Sequence, residues 1–309
     1  MRTRLPDFVI IGAQKAASTL LLNSLRDHPE AWLPAHEEPY FRDPVFTPDG
    51  FPAFARPYAY RTETRLGLKC PDYLGRPEVP RRLAGLLDTP DLVVCLRDPV
   101  ARAVSAYFWK VRWGLLPLLP VDEGMRRLLD GGLRDHDGSA GDVLEWGRYG
   151  AHLSRYLEVF PREKLMILVD EDLRRAPDVT LDAVARHLGI TERGVGEVSR
   201  RGANEGVYSR SRLRFLRLRT PLVLRWDAQR TYASIPKPHR LAPRLANAAV
   251  GALDSKVLSR VCDNTRPALS PEVDAELRAF YRDDVAVVEE LLGRDLDWGP
   301  TARRHPVGP

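Results

Sequence analysis

Residues 7–22 read DFVIIGAQKAASTLLL. Phe8 to Ile11 is a short run of aromatic and β-branched residues, which favours a buried strand, and Gly12 closes it. Leucines at helical spacing follow as far as Leu25 and stop before Pro29, which predicts a helix. Between strand and helix lie Lys15, the small residues Ala16 and Ala17, and the hydroxyls of Ser18 and Thr19. That is the outline of a phosphate-gripping unit, because amides at a helix start and a nearby lysine both attract anions. The usual nucleotide loop, G-x-x-x-x-G-K-[ST], is absent: Lys15 comes three residues after Gly12 and no glycine directly precedes it. Taken alone, the stretch fits a helix capped by Ser18 or Thr19 equally well.

RLGLKC (65–70) and DLVVCL (91–96) read as further strands, the latter apolar enough to be covered on both faces, as in a parallel sheet. Asp98 then stands as an N-cap and Pro99 at the first helical position, so a helix is expected at once after that strand. KLMILVDEDL (164–173) supplies a fourth strand, and DVTLDAVARHLGI (178–190) a helix closed by Gly189. Strands alternating with helices predict an α/β fold, a doubly wound parallel sheet flanked by helices. From Ser209 the character changes: SRSRLRFLRLRTPLVLRW is rich in arginine and leucine, IPKPHRLAP is a proline-broken connector, and residues 270–296 form a strong helical pattern. The Arg/Leu stretch admits a membrane-surface helix; the reading adopted is a helical C-terminal portion whose arginine stems cover its apolar face. One domain is expected, with an α/β core over 1–200 and a helical part over 201–309.

The chain has 309 residues, 44% of them hydrophobic, enough for a sizeable core, and 47 Lys plus Arg against 42 Asp plus Glu give a net charge of +5. That balance suits anionic ligands and falls short of a polyelectrolyte binder. The basic segment 210–219 carries one aromatic, Phe215, and so lacks a stacking platform for nucleic acid. Cys70, Cys95 and Cys262 form no C-x-x-C pair, which suggests neither a disulfide framework nor a zinc site and fits a reducing compartment. No apolar run reaches the length of a membrane span or a signal-peptide core, so a cytoplasmic location is expected. Nothing in the sequence reads out an oligomeric state.

Three constellations carry chemistry, all expected beyond the carboxyl ends of strands, where such sheets bind ligands. Lys15 with Ala16, Ala17, Ser18 and Thr19 is the first. Arg97 and Ser105, the latter about two turns into the next helix, are the second: they can hold one phosphate, with arginine supplying a bidentate fork, or be an Arg97–Asp98 ion pair and a bystander serine. In HEEPYF, Glu38 beside Tyr40 and Phe41 is a carboxylate against aromatic walls, where a raised pKa suits a general base; a solvated acidic turn is the plainer alternative.

Together and in this order, these segments resemble the sulfotransferases that use 3′-phosphoadenosine 5′-phosphosulfate (PAPS), in the branch of heparan-sulfate-type carbohydrate enzymes and their bacterial relatives. FVIIGAQKAASTLLLNSL is similar to that family's 5′-phosphosulfate loop, EEPYF to its K-E-P-x-F-F segment, GLKCPDYL to E-K-[ST]-P-x-Y, and LRDPVARAVSAY to the 3′-phosphate motif. The stretches 147–190 and 269–299 also look like family segments. The resemblance implies a P-loop-like sulfotransferase fold and PAPS as sulfuryl donor. Lys15 would then meet the leaving 5′-phosphate, with Ala16, Ala17, Ser18 and Thr19 around it. Arg97 and Ser105 would hold the 3′-phosphate, Glu38 would be the base, and Lys69 would lie near the sulfuryl group and acceptor. Arg201 and Gly202 are candidates for the loop that closes over the donor. Two departures stand out: Ala16 and Ala17 replace frequent glycines, and Glu37 replaces a lysine.

The implied acceptor is a carbohydrate or glycosylated small molecule, sulfated on a hydroxyl or, as second choice, an amine. A sulfuryl group carries one negative charge, so a lysine and helix-start amides can offset the charge that builds on the leaving phosphate, and no metal is called for. The rivals are a nucleotide-dependent phosphotransferase, for which Asp170 is the sole magnesium-binding candidate, and a non-catalytic nucleotide-binding relative, which has no need of a base at Glu38.

Overall fold

The computed structural model describes residues 4–16, 18–133, 140–192, 206–223, 225–226, 233–234 and 241–299, with backbone alone at 18–20, 222–223, 225–226, 233–234 and 241–243. Strands β1 (Phe8–Gly12), β2 (Ala31–Trp32), β3 (Arg65–Lys69), β4 (Asp91–Leu96) and β5 (Leu165–Val169) form a five-stranded sheet in the order β2-β3-β1-β4-β5. Every neighbouring pair is parallel, with Phe8 level with Gly67 on one side and Asp91 on the other. This is the expected architecture. Helices α1 (Ser18–Arg26), α2 (Phe51–Ala55), α3 (Val79–Leu86) and α4 (Pro99–Arg112) come next to these strands in the chain.

Both faces of the central strands are covered, which is why their sequences run apolar rather than alternating. Phe8, Ile10, Val93, Cys95 and Leu168 pack in one cluster with Leu21, Leu22 and Leu25 of α1 and with Val184, Ala185 and Leu188 of the helix Pro177–Leu188. The alternate residues Val9, Ile11, Leu92, Val94 and Leu96 are fully buried as well. Gly189, at φ 65°, closes the helix Pro177–Leu188 in the left-handed conformation that glycine adopts most readily.

One strand is shorter than its sequence suggested. KLMILVDEDL leaves the sheet at Val169, and Asp170–Arg175 is a helix with Asp170, Glu171 and Asp172 in its first turn. Carboxylates at a helix start are favoured by the macrodipole, and Arg174 donates from Nε to Asp170 Oδ1 at 2.9 Å one turn on.

Gly67 is required by packing: a Cβ there would stand 2.2 Å from Cζ of the Phe8 ring. Gly67→Ala is expected to cost about 1–3 kcal/mol by overpacking, seen as a lower urea midpoint. Adding Phe8→Leu should recover part of the loss, as contacting residues couple.

The chain divides into two compact units, Met1–Pro99 with Arg148–Asn204 and Asp283–Asp295 in the first, and Val100–Gly147 with Glu205–Arg282 and Leu296–Pro309 in the second. The first contains the whole five-stranded sheet. In it, the chain leaves β1 toward β3 and β2 but leaves β4 toward β5, so the strand order reverses between β1 and β4, and the crevice beyond their carboxyl ends is the position at which this architecture binds ligands. The second unit is helical, with Val121–Leu129, Arg210–Leu216 and Leu241–Leu253 among its elements and a two-residue antiparallel ladder between Arg225–Trp226 and Ala233–Ser234. Cys70, Cys95 and Cys262 are all free thiols, and among the described residues no helix is long and apolar enough to cross a membrane.

Candidate active site

The β1 loop is set by a register slip. Pairing with β4 shifts between Ile10 and Gly12, and the Ala13 amide donates to the Cys95 carbonyl at 2.8 Å, which turns the chain away from the sheet. Gly12 passes close to the segment after β3, where a Cβ would meet Leu74 Cβ at 3.0 Å and the Pro71 carbonyl at 3.1 Å. Gln14 ties the same two segments together, Nε2 donating to Asp72 Oδ1 at 3.3 Å. Lys15 then takes a left-handed backbone, φ 70°, while among the other described non-glycine residues Thr89 alone does so. Ala16 therefore holds negative φ, where alanine substitutes for glycine without strain, and it is fully buried. Helix α1 starts at Ser18. Ala17 lies outside the described residues, as do Arg201 and Gly202, and the Ser18 and Thr19 side chains are not described.

The carboxyl end of β3 carries the second group. Lys69, level with Ile10 of β1, is 3% exposed. Its carbonyl accepts the Glu38 amide at 2.9 Å, and its Nζ donates to Glu37 Oε1 at 2.9 Å. The two adjacent carboxylates thus have different fates. Glu37, exposed, neutralises a buried ammonium; Glu38 makes no such ion pair among the described residues and instead accepts the Tyr40 amide on Oε1 at 3.0 Å. Tyr73 fixes this turn twice, its hydroxyl donating to the Glu38 carbonyl and accepting the Phe41 amide at 3.2 Å.

The turn is walled by aromatic rings: Tyr40 stacks on Phe54 at 4.8 Å and meets Phe41 edge-on at 5.1 Å, and Phe54 continues to Tyr58 at 5.5 Å. Burial pushes the Glu38 carboxyl above its ordinary value, with the Tyr40 amide opposing. Burial and then the Glu38 charge push the Tyr58 hydroxyl up in turn. Tyr73 and Tyr58 were not singled out from the sequence; the tyrosine in CPDYL was the available signal for the first.

Arg97 follows β4 directly. Its Nε lies 3.7 Å from Asp170 Oδ2, so its acidic neighbour in space is Asp170 after β5, not Asp98 alone in sequence. Asp170 is 2% exposed and also accepts from Arg174. A carboxylate already held between two guanidinium groups is poorly set up to ligate magnesium. Ser105 is buried on α4 and belongs to the second unit.

Lys69 ends β3, and Lys15 and Arg97 follow the carboxyl ends of the next two strands, β1 and β4, with Glu38 hydrogen-bonded to Lys69. Two cations at the strand-order reversal can bind a polyanionic nucleotide, and a carboxyl of raised pKa on the segment bonded to β3 can remove a proton from a neighbouring group.

Residues 86–201 match the family described as sulfotransferase domain, a span that includes Arg97 and Ser105. The human heparan sulfate glucosamine 3-O-sulfotransferase 3B1 is 26% identical over 298 residues, 96% of this chain and 65% of that protein. The mouse heparan sulfate glucosamine 3-O-sulfotransferase 6 is 30% identical over 191 residues, 61% of this chain and 54% of that protein. The chain thus spans less than two thirds of the length of these relatives. In fold it is similar to the crystal structure of a sulfotransferase from Alicyclobacillus acidocaldarius, with a TM-score of 0.65 at 23% identity over 96% of this chain and 99% of that one. Mouse sulfotransferase SULT7A1 complexed with PAP is a further fold neighbour, with a TM-score of 0.51 at 13% identity over 94% and 89% of the two chains.

Proposed function

We propose that this chain, which belongs to the sulfotransferase family, transfers a sulfuryl group from PAPS to a hydroxyl, or as second choice an amine, of a carbohydrate or glycosylated small-molecule acceptor. The observation that carries the reading is Glu38: a carboxyl of raised pKa, walled by aromatic rings and hydrogen-bonded through its backbone to Lys69 at the end of β3. A domain that only bound nucleotide would gain nothing from such a group.

The donor would bring an activated sulfuryl group and a phosphate leaving group. Two observations fit it: cations follow the carboxyl ends of β1 and β4 at the point where strand order reverses, and the close passage of Gly12 against Pro71 and Leu74 holds the Lys15 loop in place. In this reading Lys15 and the start of α1 hold the 5′-phosphate, and Ser18 and Thr19 lie at that helix start. Arg97 and Ser105 hold the 3′-phosphate. Glu38 takes the acceptor's proton, and Lys69, its charge balanced by Glu37, stands by the acceptor. Free thiols fit the reducing cytoplasm proposed as its location. The phosphotransferase reading is disfavoured by Asp170, whose carboxylate is taken by Arg97 and Arg174.

Thermal unfolding with adenosine 3′,5′-bisphosphate against Mg-ATP tests the donor. At 100 times its dissociation constant a ligand stabilises by about 2.7 kcal/mol. The bisphosphate is expected to raise the midpoint and Mg-ATP to do so far less; stabilisation by Mg-ATP alone would overturn the reading.

A further inference from the structure

The second unit holds a separate concentration of charge. Arg212 and Asp254, both buried, form a bidentate pair, Nε to Oδ1 at 2.8 Å and Nη2 to Oδ2 at 2.9 Å. That fork occupies both oxygens of the carboxylate. Beside it, Arg219, 6% exposed, places Cζ 4.0 Å from the centroid of the Trp113 ring, and half-buried Arg112 comes within 6.0 Å of the same ring. Thr220 Oγ1 donates to the Trp113 carbonyl at 3.1 Å, which fixes the tryptophan to the residue after Arg219.

Arg219 Nε and Nη2, Arg112 Nε and Trp113 Nε1 are all buried and have no acceptor among the described residues. The donors therefore share one character and one place, with three guanidinium charges against a single carboxylate among the described residues. Burial and then the charge of Arg112 pull Arg219 down to about 10, Asp254 opposing. Arg112 is lowered too, by burial first, with Asp254 opposing and Arg212 adding to the shift. Buried charges in proteins are ordinarily paired, because an unmet guanidinium gives up hydration with nothing in exchange. A guanidinium whose face lies over a ring still offers its edge, and that fork matches an oxyanion with two acceptor oxygens better than it matches a spherical ion.

We propose that Arg112, Trp113 and Arg219 form a binding site for a sulfate-class oxyanion, with Arg212 and Asp254 as the scaffold that holds the charges in place. The site stands on residues of the second unit alone and does not depend on the transfer reaction.

The test is the unfolding midpoint of the full chain titrated with sodium sulfate, and separately with methyl sulfate, against sodium chloride at matched ionic strength. The wild type should show a saturable rise with sulfate beyond that with chloride. Arg219→Met should weaken the apparent sulfate affinity at least tenfold, yet in sulfate-free buffer melt no lower than the wild type, since an unpaired buried charge has gone. Arg112→Gln, at a half-buried position, should weaken the response in the same direction and serves if Arg219→Met does not fold. Saturation by methyl sulfate as well assigns the site to a sulfate ester; saturation by inorganic sulfate alone assigns it to the free ion. Equal responses of the wild type and both variants, or a wild-type response to sulfate no larger than to chloride, overturn the proposal.

Discussion

Glu38→Gln is expected to leave binding of adenosine 3′,5′-bisphosphate intact and to lower turnover by about 10²–10⁴-fold, the range that positioned acid–base catalysis supplies. The substitution keeps the shape and the acceptor for the Tyr40 amide and removes only the capacity to take a proton. The pH dependence follows from the same burial. Because the folded Glu38 binds a proton more readily than an ordinary glutamate, the wild-type rate should fall, as pH is lowered, at a pH above the usual carboxylate range. Stability runs the other way. A carboxyl whose folded pKa is raised costs stability when ionised; the cost is absent below the ordinary value and complete above the folded one. Glu38→Gln should therefore melt at neutral pH no lower than the wild type, so lost turnover could not be ascribed to unfolding. Wild-type turnover by the variant would sink the base assignment, and a wild type that binds the bisphosphate but never turns over any acceptor would favour the non-catalytic reading.

The strands that position this site were legible because a doubly covered parallel strand needs an unbroken apolar run. FVIIG and the LVVCL of DLVVCL have that run, while RLGLK holds Leu66, Gly67 and Leu68 between two charged ends and is closed by Pro71. The fourth was overread because three acidic residues after Leu168 and Val169 look like a strand's polar end, whereas the Asp170–Arg174 ion pair and the helix dipole recruit them into a helix. β2 was missed since Ala31–Trp32 is two residues long and is held by its partner strand, a tertiary effect with no local pattern. The site divides in the same way. Lys15, Arg97 and Glu38 stand beside glycine, strand end or proline, which mark turns; Tyr58 and Tyr73 act through contacts with residues 20 and 35 positions away. Arg219 and Arg212 read as stems covering the apolar face of a helix in an Arg/Leu-rich stretch. Their burial depends on Trp113 and Asp254, 106 and 42 positions distant, which no periodicity encodes.

Lys15→Met is expected to lose about 10²–10³-fold in kcat, the cost of removing one group that stabilises charge only as it develops. Methionine keeps an unbranched apolar stem of nearly the length of lysine's and lacks its ammonium, so the lost interaction is the charge. If Lys15 meets the leaving phosphate, its attraction strengthens as the bond to sulfur breaks, and the loss should fall on kcat more than on the KM of the donor. Lys15→Arg should recover only part of the rate, because a planar fork cannot take the place of a compact ammonium at one oxygen. Backbone conformation supplies an independent control. Lys15 sits at φ 70°, where a side chain costs about 1–2 kcal/mol and glycine pays no such penalty. Lys15→Gly relieves that strain while loosening the unfolded chain by up to about 1 kcal/mol, so its stability should lie within about 1 kcal/mol of the wild type. An inactive Lys15→Gly of normal stability, beside an inactive Lys15→Met, would place the effect in the charge rather than in the shape of the loop. If instead Lys15→Met kept its kcat and lost only donor affinity, Lys15 would be a binding contact that strengthens nothing at the transition state.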